Sequence, residues 1–206
     1  MKIIGLAGVA GAGKDLFCKL LSEELDCQRF SLGDELKEEI KPHCLKHFNI
    51  DPTVCSREDK NFLRSILVSH AGAKRKISKG RYWIDKVDPK LKNYFFERNV
   101  GNQNTENQVC CVTDIRYCEY DHDEVSWLKN ELNGILVHIS QFKIINSQRV
   151  FKTGANEHEI KYDPILKSLS DISYECEFIE GDLESVELKL KNSVIKDFLK
   201  QLKKLP

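Results

Sequence analysis

The sequence has no charge excess, no long apolar run, no internal repeat and no low-complexity tract, and each absence removes a class of function. Its 32 Lys and Arg balance 32 Asp and Glu, so no general field draws the chain to polymeric nucleic acid or to an anionic membrane. No stretch approaches the roughly 18 apolar residues of a spanning helix, and the N-terminus lacks the pattern of a signal peptide. These absences lead us to expect a cytoplasmic protein. The 8 cysteines contain no C-x-x-C pair, and several of them fall on apolar faces, which predicts reduced core thiols rather than disulfides. His43 and His47 stand at i and i+4, a spacing that can hold a metal, but no second ligand cluster follows in the sequence. A GTPase-type base-reading motif, Asn-Lys-x-Asp, is also missing. With 206 residues the chain is long enough for one domain with its own core.

What is present is concentrated near the start. Residues 8–15 read Gly-Val-Ala-Gly-Ala-Gly-Lys-Asp directly after the apolar run Ile3-Ile4-Gly5-Leu6-Ala7. Gly8, Gly11 and Gly13 let the backbone turn tightly enough to aim its N–H groups at phosphate oxygens, and Lys14 supplies a point charge to the same oxygens. Leu16, Phe17, Leu20, Leu21 and Leu25 then recur at helical spacing, so the loop opens a helix whose N-terminus favours an anion. This is the pattern of a P-loop, and it makes Gly8, Ala10, Gly11, Ala12, Gly13, Lys14, Asp15 and Leu16 the expected ATP-binding residues. The position after the lysine normally holds Ser or Thr on Mg²⁺; here it is Asp15, which holds the metal directly or through water, orients an attacking group, or acts as a helix N-terminal carboxylate.

Further along, strand-like and helical patterns alternate. A short strand at Arg29-Phe30-Ser31-Leu32 precedes a helix carrying Leu36, Ile40, Cys44, Leu45 and Phe48. Ser56 with Asp59 makes a helix-capping signature ahead of Phe62, Leu63, Ile66 and Leu67. The stretch 72–80 reads as basic and irregular, and the next helix, from Arg81, is expected to break at Pro89. Residues 101–108 read as a polar loop. Val109 to Ile115 is a continuous apolar run ending in charge, the mark of a buried parallel strand, and a helix with Tyr120, Val125, Leu128 and Leu132 follows. Ile135 to Ile139 makes another strand. Residues 140–157 are polar and lack a sustained period, which predicts a lid holding Lys143, Arg149 and Lys152. A last strand at 172–179 and a C-terminal helix at 183–202 close the chain. We therefore expect an α/β protein of the P-loop NTPase fold over residues 1–206: a parallel β-sheet flanked by helices, an acceptor-binding helical region at about 34–100 and a mobile lid at about 141–157.

Asp114 and Arg116 follow the buried strand, where a carboxylate can reach a metal and a guanidinium a phosphate. Asp34 and Lys37 follow the second strand, Arg75 and Arg149 can close over phosphates, and Tyr82 and Trp83 are candidates to face a base. Gly-Lys-Asp in the loop, Phe30 to Lys37, the segment from Gly72 to Trp83, Thr113-Asp114-Ile115-Arg116-Tyr117 and Asn156-Glu157-His158-Glu159 together resemble the phage-type deoxynucleoside monophosphate kinases over nearly the whole chain. The resemblance implies transfer of the γ-phosphoryl group of ATP to a deoxynucleoside 5′-monophosphate with Mg²⁺, in support of deoxynucleotide supply. It implies Lys14, Asp15, Asp34, Lys37, Asp114 and Arg116 as the site; with the residue reading above, we expect Lys14, Asp15, Arg116 and Arg149 to be catalytic, Asp34, Lys37, Arg75, Trp83, Asp114 and Arg116 to bind the acceptor, and Asp15 with Asp114 to lie at the metal. A homodimer is compatible with it. The family has Phe-x-Asn-Glu where Tyr117-Cys118-Glu119-Tyr120 stands here. Phosphomevalonate kinases of the animal type share the Gly-Lys-Asp loop and the Asp-x-Arg element, dephospho-coenzyme A kinase is a further alternative, and a nucleotide-binding protein that transfers nothing is the alternative of a different class.

Overall fold

The computed structural model describes residues 2–100, 108–179 and 181–204, with the side chains of 99 and 100 left out. Five strands run parallel in one sheet: β1 (Lys2–Ala7), β2 (Asp26–Ser31), β3 (Gln108–Ile115), β4 (Ile135–Ile145) and β6 (Ile172–Glu177), with the short β5 (Gln148–Phe151) antiparallel to the end of β4. Across the sheet the parallel strands lie in the order β2, β3, β1, β4, β6. Strands β1 and β3 are buried on both faces, which is why Ile4-Gly5-Leu6-Ala7 and Val109 to Val112 read as unbroken apolar runs.

Helices cover both faces. α1 (Lys14–Ser22) and the C-terminal helix, built from α7 (Leu183–Leu190), a π-helical turn (Lys191–Ile195) and α8 (Lys196–Leu202), pack on one side, where Phe17, Leu21, Cys111, Ile139, Ile195 and Phe198 meet. The other side is closed by α2 (Leu32–Phe48), α4 (Ile84–Val100), the short α5 (Glu124–Ser126) with its π-helical continuation Trp127–Glu131, and α6 (Glu157–Leu169). There Trp127, Leu128, Ile84 and Leu91 are fully buried. A smaller apolar cluster, Ile40, Cys44 and Leu63, joins α2 to α3 (Arg57–Ser78).

Several expectations of secondary structure change here. The stretch 72–80 is not irregular: α3 runs through Gly72 to Ser78, because the good helix formers of Ala73 to Lys76 carry the helix past one glycine. α4 does not break at Pro89, which sits in its second turn, and Pro42 and Pro164 likewise lie inside helices. The helix expected around Tyr120 shrinks to Glu124–Ser126 and its π turn. The polar loop at 101–108 lies outside the described residues, except for Gln108, which begins β3.

The expected irregular lid at 140–157 is ordered as a hairpin. β4 continues to Ile145 and returns through β5, and Asn146 and Ser147 both take positive φ (50° and 63°) in the two-residue turn. Its β-branched residues Ile144, Ile145 and Val150 favour extended backbone. The sequence reading also missed α6, whose cap is legible afterwards: the Asn156 side chain accepts from the Glu159 N–H at 2.9 Å. Among the described residues no helix is long and apolar enough to cross a membrane, and all 8 cysteines are free thiols.

Candidate active site

The loop between β1 and α1 takes positive φ at Gly8, Gly11 and Gly13. Gly8 has a second reason to be glycine: a Cβ there would stand 2.3 Å from the Ile139 carbonyl oxygen on β4. The loop is thereby pressed against the sheet edge, and Lys14 enters the helix from beneath it, buried, with Nζ donating to the carbonyls of Gly8 (2.7 Å) and Val9 (3.0 Å). Burial and the neighbouring Arg116 charge lower its pKa to about 8, against the opposing pull of nearby carboxylates. The protein has a mixed α/β fold with a mostly parallel sheet flanked by helices.

No protein-family model and no curated protein matches the sequence. Solved structures similar to the chain include shikimate kinase from Acinetobacter baumannii in complex with shikimate (12% identity, TM-score 0.40, 96% of this chain and 94% of that one). Two others are shikimate kinase from Aquifex aeolicus vf5 (15%, 0.42, 98% and 96%) and dephospho-CoA kinase from Campylobacter jejuni (11%, 0.40, 96% and 99%). Similarity at this level says nothing of substrate.

Beside the loop, β3 ends in a bulge. Leu6 pairs with Thr113 and Ala7 with Ile115, so Asp114 is the extra residue, at φ 70°. Asp is one of the few residue types that adopt this left-handed backbone readily, and a bulge re-aims the side chain it carries. The Asp114 carboxylate accepts from Ser31 Oγ at 3.1 Å and from Arg116 Nη2 at 2.9 Å. Burial raises its pKa, but the charges of Arg116 and Lys14 and these two hydrogen bonds prevail and hold it well below the usual carboxylate range. Ser31 serves both partners, since its hydroxyl oxygen also caps α2 by accepting the Asp34 N–H at 3.1 Å.

Glu159, from α6, completes the cluster. One carboxylate oxygen pairs with Arg116 Nη1; the other accepts the N–H of Ala10 at 3.2 Å and of Ala155 at 2.9 Å. Burial opposes the charge of Arg116, yet the Asp114 and Glu159 carboxylates more than compensate and fix it as a cation. One chain of contacts thus runs from α2 through Asp114, Arg116 and Glu159 to a backbone N–H of the phosphate loop.

These groups open on a cleft of about 1130 Å³ between the loop, α2, α3 and the hairpin. Of the residues singled out from sequence, Ala10, Gly11, Ala12, Gly13, Lys14, Asp15, Leu16, Lys37, Arg75, Trp83, Asp114 and Arg116 line it. Asp34 does not; it is held between Arg29 (2.6 Å) and Lys37 (2.7 Å), and Arg29 also pairs with Asp15 at 3.2 Å. Trp83 lines the cleft only from within the core, 3% exposed, with Nε1 donating to the Ala71 carbonyl at 3.4 Å. Tyr82 is turned elsewhere, donating to Glu39 at 2.7 Å.

Arg149 is not brought to the cleft. It lies exposed on the hairpin, over the Phe142 ring, and pairs with Glu175 at 3.2 Å. The hairpin cations that do line the cleft are Lys143 and Lys152, and Lys152 Nζ donates to the Gly11 carbonyl at 3.3 Å.

Arg75 arrives from α3. It is 4% exposed, its guanidinium lies over the Tyr117 ring at 3.4 Å, and Glu119, Glu124 and Asp123 stand 3.6 to 3.9 Å away. Its Nε and Nη2 have no hydrogen-bond partner among the described residues. Glu124, which accepts the N–H of Arg116 (2.6 Å) and Tyr117 (3.1 Å), has its pKa raised by burial to about 7. The sequence reading named Lys152 only as a cation of the lid and missed Ser31, Glu124 and Glu159 as residues of the cleft cluster. Only Glu159 had a local signal, as the third residue after the Asn156 cap.

Proposed function

We propose that this chain is an ATP-dependent kinase that transfers the γ-phosphoryl group to a deoxynucleoside 5′-monophosphate, giving the diphosphate. The observation that carries the reading is that one cleft offers two separate positions for anions. The first is the phosphate loop with Lys14. The second is Arg75, a buried guanidinium whose Nε and Nη2 make no hydrogen bond among the described residues, the Glu124 and Asp123 carboxylates standing 3.7 and 3.9 Å from them. Unsatisfied buried donors are costly, and an acceptor phosphate would satisfy them. Tyr117 also lines the cleft, with the Arg75 guanidinium over its ring at 3.4 Å.

In this reading Lys14 and the loop N–H groups hold the donor phosphates, Arg116 stands between the two anions, and Lys152 or Lys143 comes with the hairpin. The protein's contribution is to place two anionic substrates in line and to balance charge spreading over the transferring group. The carboxylates of Asp15 and Asp114, hard oxygen donors on the cleft wall, fit Mg²⁺. When bound, Mg²⁺ would neutralise phosphate charge there. A nucleotide pair implies neither membrane nor polymeric nucleic acid as partner and fits a cytoplasmic enzyme of deoxynucleotide supply.

The test is ATP consumption with Mg²⁺ across dAMP, dCMP, dGMP, dTMP, the matching ribonucleotides, phosphomevalonate, dephospho-coenzyme A and shikimate, read as phosphorylated product. Turnover on deoxynucleotides is expected. Turnover on one of the other acceptors alone, or ATP binding without transfer to any, overturns it.

A further inference from the structure

On the far side of the phosphate loop, three thiols from three different elements meet: Cys18 of α1, Cys27 of β2 and Cys111 of β3, with all three sulfur atoms within 4.8 Å of one another. Cys18 and Cys111 are buried in the core beneath α1, and Cys27 is half-buried. The convergence follows from register. Cys27 pairs with Val109, so Cys27 and Cys111 share one face of the sheet two positions apart, and α1 lies across that face.

The same register argues against a disulfide between Cys27 and Cys111. Adjacent strands about 4.8 Å apart, with a rise of about 3.3 Å per residue, put the Cα atoms of Cys27 and Cys111 roughly 8 Å apart, beyond the reach of about 7 Å that a disulfide allows. Three sulfurs brought around a common point at that backbone spacing suit a bridging ion instead. Around a tetrahedral zinc, with Zn–S bonds of about 2.3 Å, sulfurs stand about 3.8 Å apart, so side-chain rotation of an ångström or less closes the triad.

We propose that Cys18, Cys27 and Cys111 form a binding site for a thiophilic divalent cation, zinc being the fitting one, with solvent on the Cys27 side as fourth ligand. Thiolates select borderline and soft cations over the hard Mg²⁺ of the cleft. Among the described residues no other His, Cys, Asp or Glu joins the group, which leaves the fourth position to water. Binding releases the three thiol protons to solvent, and three thiolates with Zn²⁺ leave one negative charge; Arg29, the register partner of Cys111 on the same face, has its guanidinium on Asp34 and Asp15. The partial exposure of Cys27 provides the entry path. Cys18 lies one turn beyond Lys14, Cys27 four residues before Ser31 and Cys111 three before Asp114, so an occupied site would tie together the elements that carry those cleft residues. This site is independent of the kinase reading.

The experiment uses the full chain, fully reduced and free of nucleotide, titrated with Zn²⁺ against a chromophoric chelator. One equivalent is expected to be retained. Cys27→Ala, chosen because the side chain is half-buried and its loss spares the core, should weaken retention by more than the roughly 100-fold that an outer-shell change costs, while Cys55→Ala leaves it unchanged. Cd²⁺ in place of zinc should show three sulfur ligands by X-ray absorption. Circular dichroism confirms that the variants fold. Zinc uptake unaffected by Cys27→Ala, or no uptake by the reduced chain, overturns the assignment.

Discussion

Buried Glu159 and half-buried Arg116 form an ion pair that joins α6 to the end of β3, and the second oxygen of Glu159 holds the Ala10 N–H of the glycine loop. Removing the charge leaves Arg116 with Asp114 alone and weakens the N–H contacts to Ala10 and Ala155. Glu159→Gln should therefore lose about 1.5–3 kcal/mol of stability, the worth of hydrogen bonds to a charged group. Denaturant unfolding measures it; a change below about 0.5 kcal/mol would show that the pair does not anchor the loop.

Asp114 needs the absence of a side chain at residue 33. A Cβ on Gly33 would lie 2.6 Å from Asp114 Oδ2. Gly33→Ala should displace the carboxylate from Ser31 and lower turnover at least about tenfold, as a misplacement near 1 Å does at a reacting site. The fold should be kept, since α2 retains its Ser31 cap on Asp34. Unchanged turnover in steady-state kinetics would remove Asp114 from the reaction.

On the proposed function, the lowered pKa of Lys14 gives ATP binding a proton signature. Free Lys14 titrates near 8, and bound phosphate favours the ammonium, so its pKa rises on binding. Above about pH 8 binding should then take up a proton and weaken as pH increases. Calorimetry at pH 8.5 in two buffers of different ionisation enthalpy reads the uptake directly, and equal heats in both would refute it. Lys14→Met, which removes a buried charge, should unfold no more easily than the parent while losing at least about 100-fold in turnover.

Glu124 carries a pH effect on stability with a defined sign. Its folded pKa, about 7, lies above its ordinary value of 4.5, so the folded chain binds the extra proton. The stability it contributes is complete below pH 4.5 and disappears as pH rises through 7. Glu124→Gln should flatten this part of the curve, relative to the parent, between pH 5 and 8. A parallel pair of curves would assign the slope to other groups.

Arg75 should act on the acceptor alone. Arg75→Lys keeps the charge but loses the planar fork over Tyr117, so KM for the acceptor should rise about tenfold or more while KM for ATP holds. A rise in both constants would move Arg75 to a structural role.

The sequence by itself determined the strand, glycine loop and helix that open the chain, the buried strand ahead of Asp114, and the alternation that makes a parallel sheet. Those are local signals: glycines where the backbone must turn, apolar residues at periods that only one element satisfies, and Lys14 directly after the last glycine of the loop. Capping at Ser56 was equally legible, because a cap is made within four residues.

Tertiary structure decided which charged side chains face which. The bulge at Asp114 exists only through the register of β1 against β3, and Glu159 reaches the phosphate loop across 149 residues of chain. Arg149 and Lys152 look alike in sequence as cations of one polar stretch; the hairpin sends one to Glu175 and the other to Gly11. Tyr82 and Trp83 are neighbours divided between an ion-pair network and the core. The meeting of Cys18, Cys27 and Cys111 is likewise set by strand register and helix docking, contacts between distant segments whose energy depends on a geometry that no local window of sequence contains.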